Sequence, residues 1–215
     1  MRASGNEAEV NVETIIVGPI EVNCYLVTCK KTNKAAVIDP GDNAEDILKV
    51  IRSRSLDVEY ILLTHGHFDH LGGVAPIKEA TKANVLLHKN DQYLVDSASQ
   101  QAELFGLPAP ELFEVDQYVD QSDVVEFGNL KATVLATPGH SKGSVCYLFE
   151  NSIFVGDTLF YGGVGRTDLE GGSFEQLLHS IQSKLFSLPE DIRVYCGHGP
   201  STTIGREKKY NPFIN

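Results

Sequence analysis

The stretch Thr64-His65-Gly66-His67-Phe68-Asp69-His70 constrains this chain more than any other. It places four metal-ligating side chains within six residues, directly after the apolar run Tyr60-Ile61-Leu62-Leu63. That run reads as a buried strand. In extended chain, side chains two apart point the same way, so His65 and His67 can close on one ion. The chain must then turn, and Asp69 and His70 can face a second position. Imidazole suits zinc and iron, and a carboxylate can bind or bridge them. The chain has 7 histidines and three fall in this window, which argues against a chance scatter.

A site for two ions needs more ligands than one loop provides. Three further candidates follow strand-like runs. Ala132 to Ala136 leads into Thr137-Pro138-Gly139-His140, Ile153 to Val155 into Gly156-Asp157-Thr158, and Ile192 to Cys196 into Gly197-His198-Gly199. In each a glycine precedes the ligand and allows a sharp exit from the strand. Ligands at the same ends of several strands converge at one sheet edge, where open α/β folds bind ligands. His88 ends the apolar run Val85-Leu86-Leu87 and His179 sits in a helical pattern, and neither is expected to ligate.

The pattern His-x-His-x-Asp-His, then a single His, a Gly-Asp and a final His, resembles the metallo-β-lactamase superfamily. Thr137-Pro138-Gly139-His140-Ser141, Gly156-Asp157-Thr158-Leu159-Phe160, Gly165-Arg166-Thr167-Asp168 and Tyr210-Asn211-Pro212-Phe213 are similar to segments of its glyoxalase II group, the hydroxyacylglutathione hydrolases. The resemblance spans roughly residues 14 to 213. It implies an α/β fold, the αββα sandwich of two mixed sheets flanked by helices. It implies that His65, His67 and His140 hold one metal, that Asp69, His70 and His198 hold a second, and that Asp157 bridges both. Zinc is the expected metal, and iron and manganese also suit these ligands. The longer enzymes of that group carry a glutathione-binding helical domain after the last ligand. Here 17 residues follow His198, so substrate recognition is expected to differ.

The implied function is hydrolysis of a small thioester of the lactoylglutathione type. Two divalent ions about 3.5–4 Å apart can hold a bridging hydroxide at neutral pH, and Asp69, His70 and Asp157 are the expected catalytic ligands. A thiolate leaves readily, since free thiols have pKa about 8.5. Asp39, at a strand end, is expected to orient the metal loop. Arg166 lies on a glycine-rich loop and can fork onto a substrate carboxylate, with an ion pair to Asp168 or Glu170 as the alternative. Lys142 and Tyr147 are weaker candidates for the pocket wall. The runner-up function is a persulfide dioxygenase using one iron on His65, His140 and Asp157. A β-lactamase is less favoured because a bridging carboxylate is foreign to those enzymes.

Composition bounds the partners. The formal charge is 18 − 29 = −11, with 42% hydrophobic and 22% charged residues. An acidic chain is a poor match for nucleic acid. No run reaches membrane-spanning length and the N-terminus has no apolar signal core, which fits a cytoplasmic enzyme. Cys24, Cys29, Cys146 and Cys196 sit in apolar runs and read as buried thiols without disulfides. Residues 1–12 read as a flexible extension and 13–215 as one metallo-β-lactamase-fold domain.

Along the chain, Glu13 to Val17, Cys24 to Thr28 and Ala35 to Ile38 read as strands. The spacing of apolar residues predicts a helix over Ala44 to Ile51 with Asn43 as its cap, one over Gly73 to Ala80, and one over Asp91 to Phe105. Pro108 and Pro110 mark a crossing loop. Asp123 to Phe127, Leu130 to Ala136, Val145 to Phe149 and Ile153 to Val155 read as antiparallel strands. Ser173 caps a helix to about Leu185.

Overall fold

A computed structural model describes residues 10–214. The first half runs β1 (Val10–Val17), β2 (Val22–Cys29), β3 (Lys34–Ile38), α1 (Ala44–Ser53), β4 (Asp57–Leu62), α2 (Val74–Thr81), β5 (Asn84–His88), α3 (Gln92–Asp96), α4 (Ala98–Leu104) and β6 (Gln117–Val119). The second runs β7 (Val124–Phe127), β8 (Leu130–Ala136), β9 (Val145–Phe149), β10 (Ser152–Gly156), β11 (Leu159–Phe160), β12 (Gly163–Val164), α5 (Phe174–Ser180), β13 (Arg193–Cys196), β14 (Thr202–Thr203) and α6 (Ile204–Tyr210).

Two six-stranded mixed sheets result, ordered β1-β2-β3-β4-β5-β6 and β14-β13-β10-β9-β8-β7. In the first sheet β1 to β3 pair antiparallel and β3 to β6 parallel. In the second, β10 and β13 are parallel and the remaining pairs antiparallel. Residue alternation sorts the core into three layers. On β2, Cys24 and Leu26 face α1 and α2, while Tyr25 and Val27 face the second sheet. On β9, Cys146 faces α5 and Tyr147 faces the first sheet. Both faces of each sheet are thereby covered, the αββα architecture expected. All eight residues of β2 are buried, as a strand between two covered faces requires. No helix among the described residues is long and apolar enough to cross a membrane.

The two sheets are sewn together where the ligand loops emerge. Val145 N donates to Thr64 O at 2.8 Å, and Asn23 N to Gly197 O at 2.8 Å. Cys196 O accepts from Asn23 Nδ2 at 3.0 Å and from the Tyr25 hydroxyl at 2.6 Å. These bonds fix the end of β4 to β9 and the end of β13 to β2.

Several expectations are corrected. Val10 to Val12 pair with Val27 to Cys29 in β1, so they are strand and not extension; residues 1–9 lie outside the described residues. Asn43 precedes α1 in a left-handed conformation, but its side chain accepts from Gly18 N at 2.7 Å and does not cap the helix. The helix expected over Asp91 to Phe105 is broken at Ser97. After Ser180 the chain widens into a π-helical turn, Ile181–Leu185. Tyr147 is fully buried, and its hydroxyl donates to Leu63 O at 3.1 Å, so it braces the strand that leads to the metal loop instead of lining a pocket. Substituting Tyr147→Phe leaves the Leu63 carbonyl without this donor. We expect a loss of about 1–2 kcal/mol in denaturant unfolding with KM unchanged. A raised KM at full stability would return Tyr147 to the substrate.

Candidate metal centre

The ligand loops leave β4, β8, β10 and β13 at one edge of the sandwich. His65 follows β4, and a single 3₁₀ turn, Phe68–His70, reverses the chain so that Asp69 and His70 face back. His140, Asp157 and His198 follow β8, β10 and β13. His65, His67 and His140 bring ligand atoms within 4.8 Å of one another, and so do Asp69, His70 and His198. Asp157 stands between these groups. Its Oδ2 lies 3.7 Å from His140 Nε2 and 3.6 Å from His198 Nε2, and its Oδ1 lies 3.6 Å from His70 Nε2. All seven residues expected at the centre are brought together.

Hydrogen bonds behind the rings decide which nitrogens face the centre. His140 Nδ1 donates to Arg166 O at 2.8 Å and His198 Nδ1 to Ile20 O at 3.1 Å. The Thr64 hydroxyl donates to Asp39 Oδ2 at 2.6 Å and therefore accepts from His65 Nδ1 at 3.1 Å. His70 Nδ1 faces Asp39 Oδ2 at 3.1 Å. For His65, His140 and His198 the proton sits on Nδ1 and leaves the Nε2 lone pair pointing inward, and His70 turns its Nε2 the same way. His140 Nε2 then faces His65 Nε2 at 3.3 Å and His67 Nδ1 at 2.8 Å. Inward lone pairs as close as those of His65 and His140 repel unless a cation lies among them, and His67 Nε2, both ring nitrogens of His70 and Asp157 Oδ1 are buried with no hydrogen-bond partner. The donor set fits divalent metal.

Charge states follow the same geometry. Burial, then the neighbouring His70 and His140, push His65 well down; burial and His140 push His67 down to about 3. Both are neutral ligands at pH 7. Burial alone would lower His70, but Asp69, Asp39 and Asp157 outweigh it and hold it up at about 10. Asp69 is lowered despite its burial, because His70 and His198 face it. Without a metal, His70 keeps a proton that a metal must displace.

Asp39 takes the orienting place expected of it. It ends β3 with φ 48° and accepts from Thr64 N at 2.8 Å as well as from the hydroxyl. Asp91 was not singled out by sequence. It is fully buried; it accepts from Gly66 N at 3.0 Å, from the Ser141 hydroxyl at 2.6 Å and from Gly143 N at 2.6 Å, tying the first ligand loop to the His140 loop. Nothing in its local sequence marks it, since those partners are 25 to 52 residues away. Glu207 was missed for the same reason. It accepts from Gly162 N and Asn211 Nδ2, both at 2.9 Å, and so pins the β11–β12 hairpin beyond Asp157.

A cavity of about 350 Å³ opens onto the centre. His67, Asp69, His140, Asp157 and His198 form its floor, and Phe68, Leu94, Leu104 and Phe105 form an apolar wall. Arg166 lines it too, with Nε and Nη2 each 2.8 Å from an Asp168 oxygen. Lys142 does not. Its ammonium lies 5.2 Å from the Tyr93 ring, and it borders a separate depression with His88 and Tyr118. His88 and His179 stand apart from the metal-ligating groups among the described residues.

The chain belongs to the metallo-beta-lactamase superfamily, whose family profile matches residues 17–198. It is 38% identical over 210 residues to the hydroxyacylglutathione hydrolase GloC of Haemophilus influenzae, covering 96% of this chain and 99% of that one. The crystal structure of the BLEG-1 B3 metallo-beta-lactamase superposes with a TM-score of 0.90 at 37% identity, covering 95% of this chain and all of the other. TTHA1623, solved in a di-iron-bound form, superposes at 0.87 with 40% identity, covering 94% and 100%.

Glycine is required beside the centre. A Cβ on Gly197 would lie 2.1 Å from Asp157 Oδ1 and 3.1 Å from His70 Cε1. Gly197→Ala is therefore expected to displace Asp157 and to cut the metal content of purified protein to less than about half, with the circular dichroism of the fold retained. Full metal content in this variant would remove Asp157 from the centre.

Proposed function

We propose that the protein is a dinuclear metal-dependent thioester hydrolase of the hydroxyacylglutathione type. The observation that carries this reading is the placement of Asp157 between two groups of three ligands, all seven beside one cavity. The similarity to GloC along nearly the whole chain supports the substrate class. Divalent ions held here, with zinc the first choice and iron or manganese also suited, would polarise the acyl carbonyl and activate water at neutral pH.

The chain's own residues do the rest. Asp157 sets the spacing of the two groups, and Asp69 and His70 anchor the second of them. All four cysteines are free and buried, so none is offered as a nucleophile. The apolar wall limits water around the reacting carbonyl. Arg166 is proposed to receive a carboxylate of the thiol carrier. Its present pair with Asp168 is half-exposed on both sides and thus weak enough to exchange.

The similarity to BLEG-1 makes β-lactam hydrolysis the second reading, and a persulfide dioxygenase with one iron on His65, His140 and Asp157 is the third. One preparation tests all three. We expect two metal ions per chain by elemental analysis, turnover of lactoylglutathione, and no more than trace turnover of a cephalosporin. Asp157→Ala should lose metal and at least about 100-fold in kcat/KM. One ion per chain after metal is supplied would overturn the dinuclear reading.

Arg166→Ala is expected to raise KM for lactoylglutathione about tenfold, the scale of one charge-assisted contact. kcat should change less, because the contact is equal in substrate and transition state. A collapsed kcat at unchanged KM would place Arg166 in the chemistry.

A further inference from the structure

The cavity has a second lobe. A smaller space of about 190 Å³ lies between the β1–β2 turn and the Leu107–Glu111 loop, and it shares Ile20, Phe68 and Asp69 with the larger one. Asp69 borders both and is the one metal-ligating residue that lines the smaller space, so that space adjoins the centre on the Asp69 side. A thioester likewise sends two arms away from its carbonyl carbon.

The lobes differ in size and in charge. Ligand pockets commonly hold at least about 300 Å³, so the smaller lobe takes only a short group. Its lining includes Val17, Val22, Leu107 and Pro108, and its only other charged side chains besides Asp69 are Asp42 and Glu111. Among the described residues no lysine or arginine borders it, and Arg166 is the one such cation bordering either lobe, on the larger one. A carboxylated arm is attracted at one side and repelled at the other.

We propose that the cleft sorts the arms of its substrate by charge and size: the carboxylate-bearing thiol carrier lies in the larger lobe with Arg166, and a short uncharged acyl group lies in the smaller lobe beside Asp42 and Glu111. Acyl groups ending in a carboxylate are thereby rejected. This rests on the thioester hydrolase reading and names its acyl class.

The test uses glutathione thioethers, which bind without turning over. S-butylglutathione and S-(3-carboxypropyl)glutathione are titrated by calorimetry into the metal-loaded protein and into the double variant Asp42→Asn, Glu111→Gln. The double variant should shift the ratio of the two dissociation constants at least about threefold in favour of the carboxylated ligand. Any carboxylate contact to metal is common to both proteins and cancels in that comparison. Leu107→Trp, which narrows the lobe, should weaken S-butylglutathione about fivefold more than it weakens glutathione itself. A ratio unmoved by the double variant, or equal weakening by Leu107→Trp, overturns the assignment. Hydrolysis of butyryl- and succinylglutathione separates it from the reading beneath. The expected ligand sorting with neither thioester hydrolysed would sink the hydrolase and keep the lobes. Equal hydrolysis of both by wild type and double variant would sink the lobes and keep the hydrolase.

Discussion

Everything in this molecule is arranged around lone pairs that point at one another. Five histidines and two aspartates meet at one edge of the sandwich, and hydrogen bonds behind the rings turn Nε2 of His65, His140 and His198 inward. Such a cluster is unfavourable on its own, because buried polar groups lose water and gain no partner. The loops cannot relax away from it. Asp39, Thr64 and Asp91 hold their backbones from behind, and the bonds between Thr64 and Val145 and between Asn23 and Gly197 fix the two sheets beside it. Metal binding relieves a conflict that the fold enforces, which is how a rigid scaffold preorganises a site.

That conflict explains why both sheets are mixed. Ligands converge only if several strands run in the same direction to the same edge. β3 and β4 are parallel, as are β10 and β13, and each of these strands ends in a ligand or in Asp39. The antiparallel strands fill the remainder of each layer. Parallel strands are buried on both faces. Helices therefore cover the outer faces: α1 and α2 on the first sheet, α5 and α6 on the second.

The centre was legible in the sequence because its ligands combine a local motif with a repeated context, an apolar run followed by glycine and a ligand. Asp39 was legible as a strand end. What stayed hidden depended on partners far along the chain. Asp91 bonds Gly66 and Gly143, and Glu207 bonds Gly162; no spacing rule links such positions. Tyr147 was misjudged for a different reason. Alternation tells that Cys146 and Tyr147 face opposite sides of β9, but not which side opens on a pocket. The edge strands β6 and β14, of three and two residues, are too short to leave a periodic signal, and they form through pairing with β5 and β13.

Chemistry and selectivity are built from different parts of the chain. The ligands stand on strand ends locked from two sides. The cavity walls come from the α3–α4 pair and from connections: the β1–β2 turn, the segment from Phe105 to Glu111, and the loop from Arg166 to Glu170. Loops can change without moving the strands that carry the ligands. Relatives similar along nearly their whole length, one a hydroxyacylglutathione hydrolase and one a B3 metallo-beta-lactamase, are what such a division allows. The question of substrate therefore passes from the ligands, which fill all seven positions, to the residues of these walls. There the distribution of charge is uneven, with Arg166 beside one lobe and Asp42 and Glu111 beside the other, and that unevenness gives the cleft a direction along which a two-armed substrate can lie.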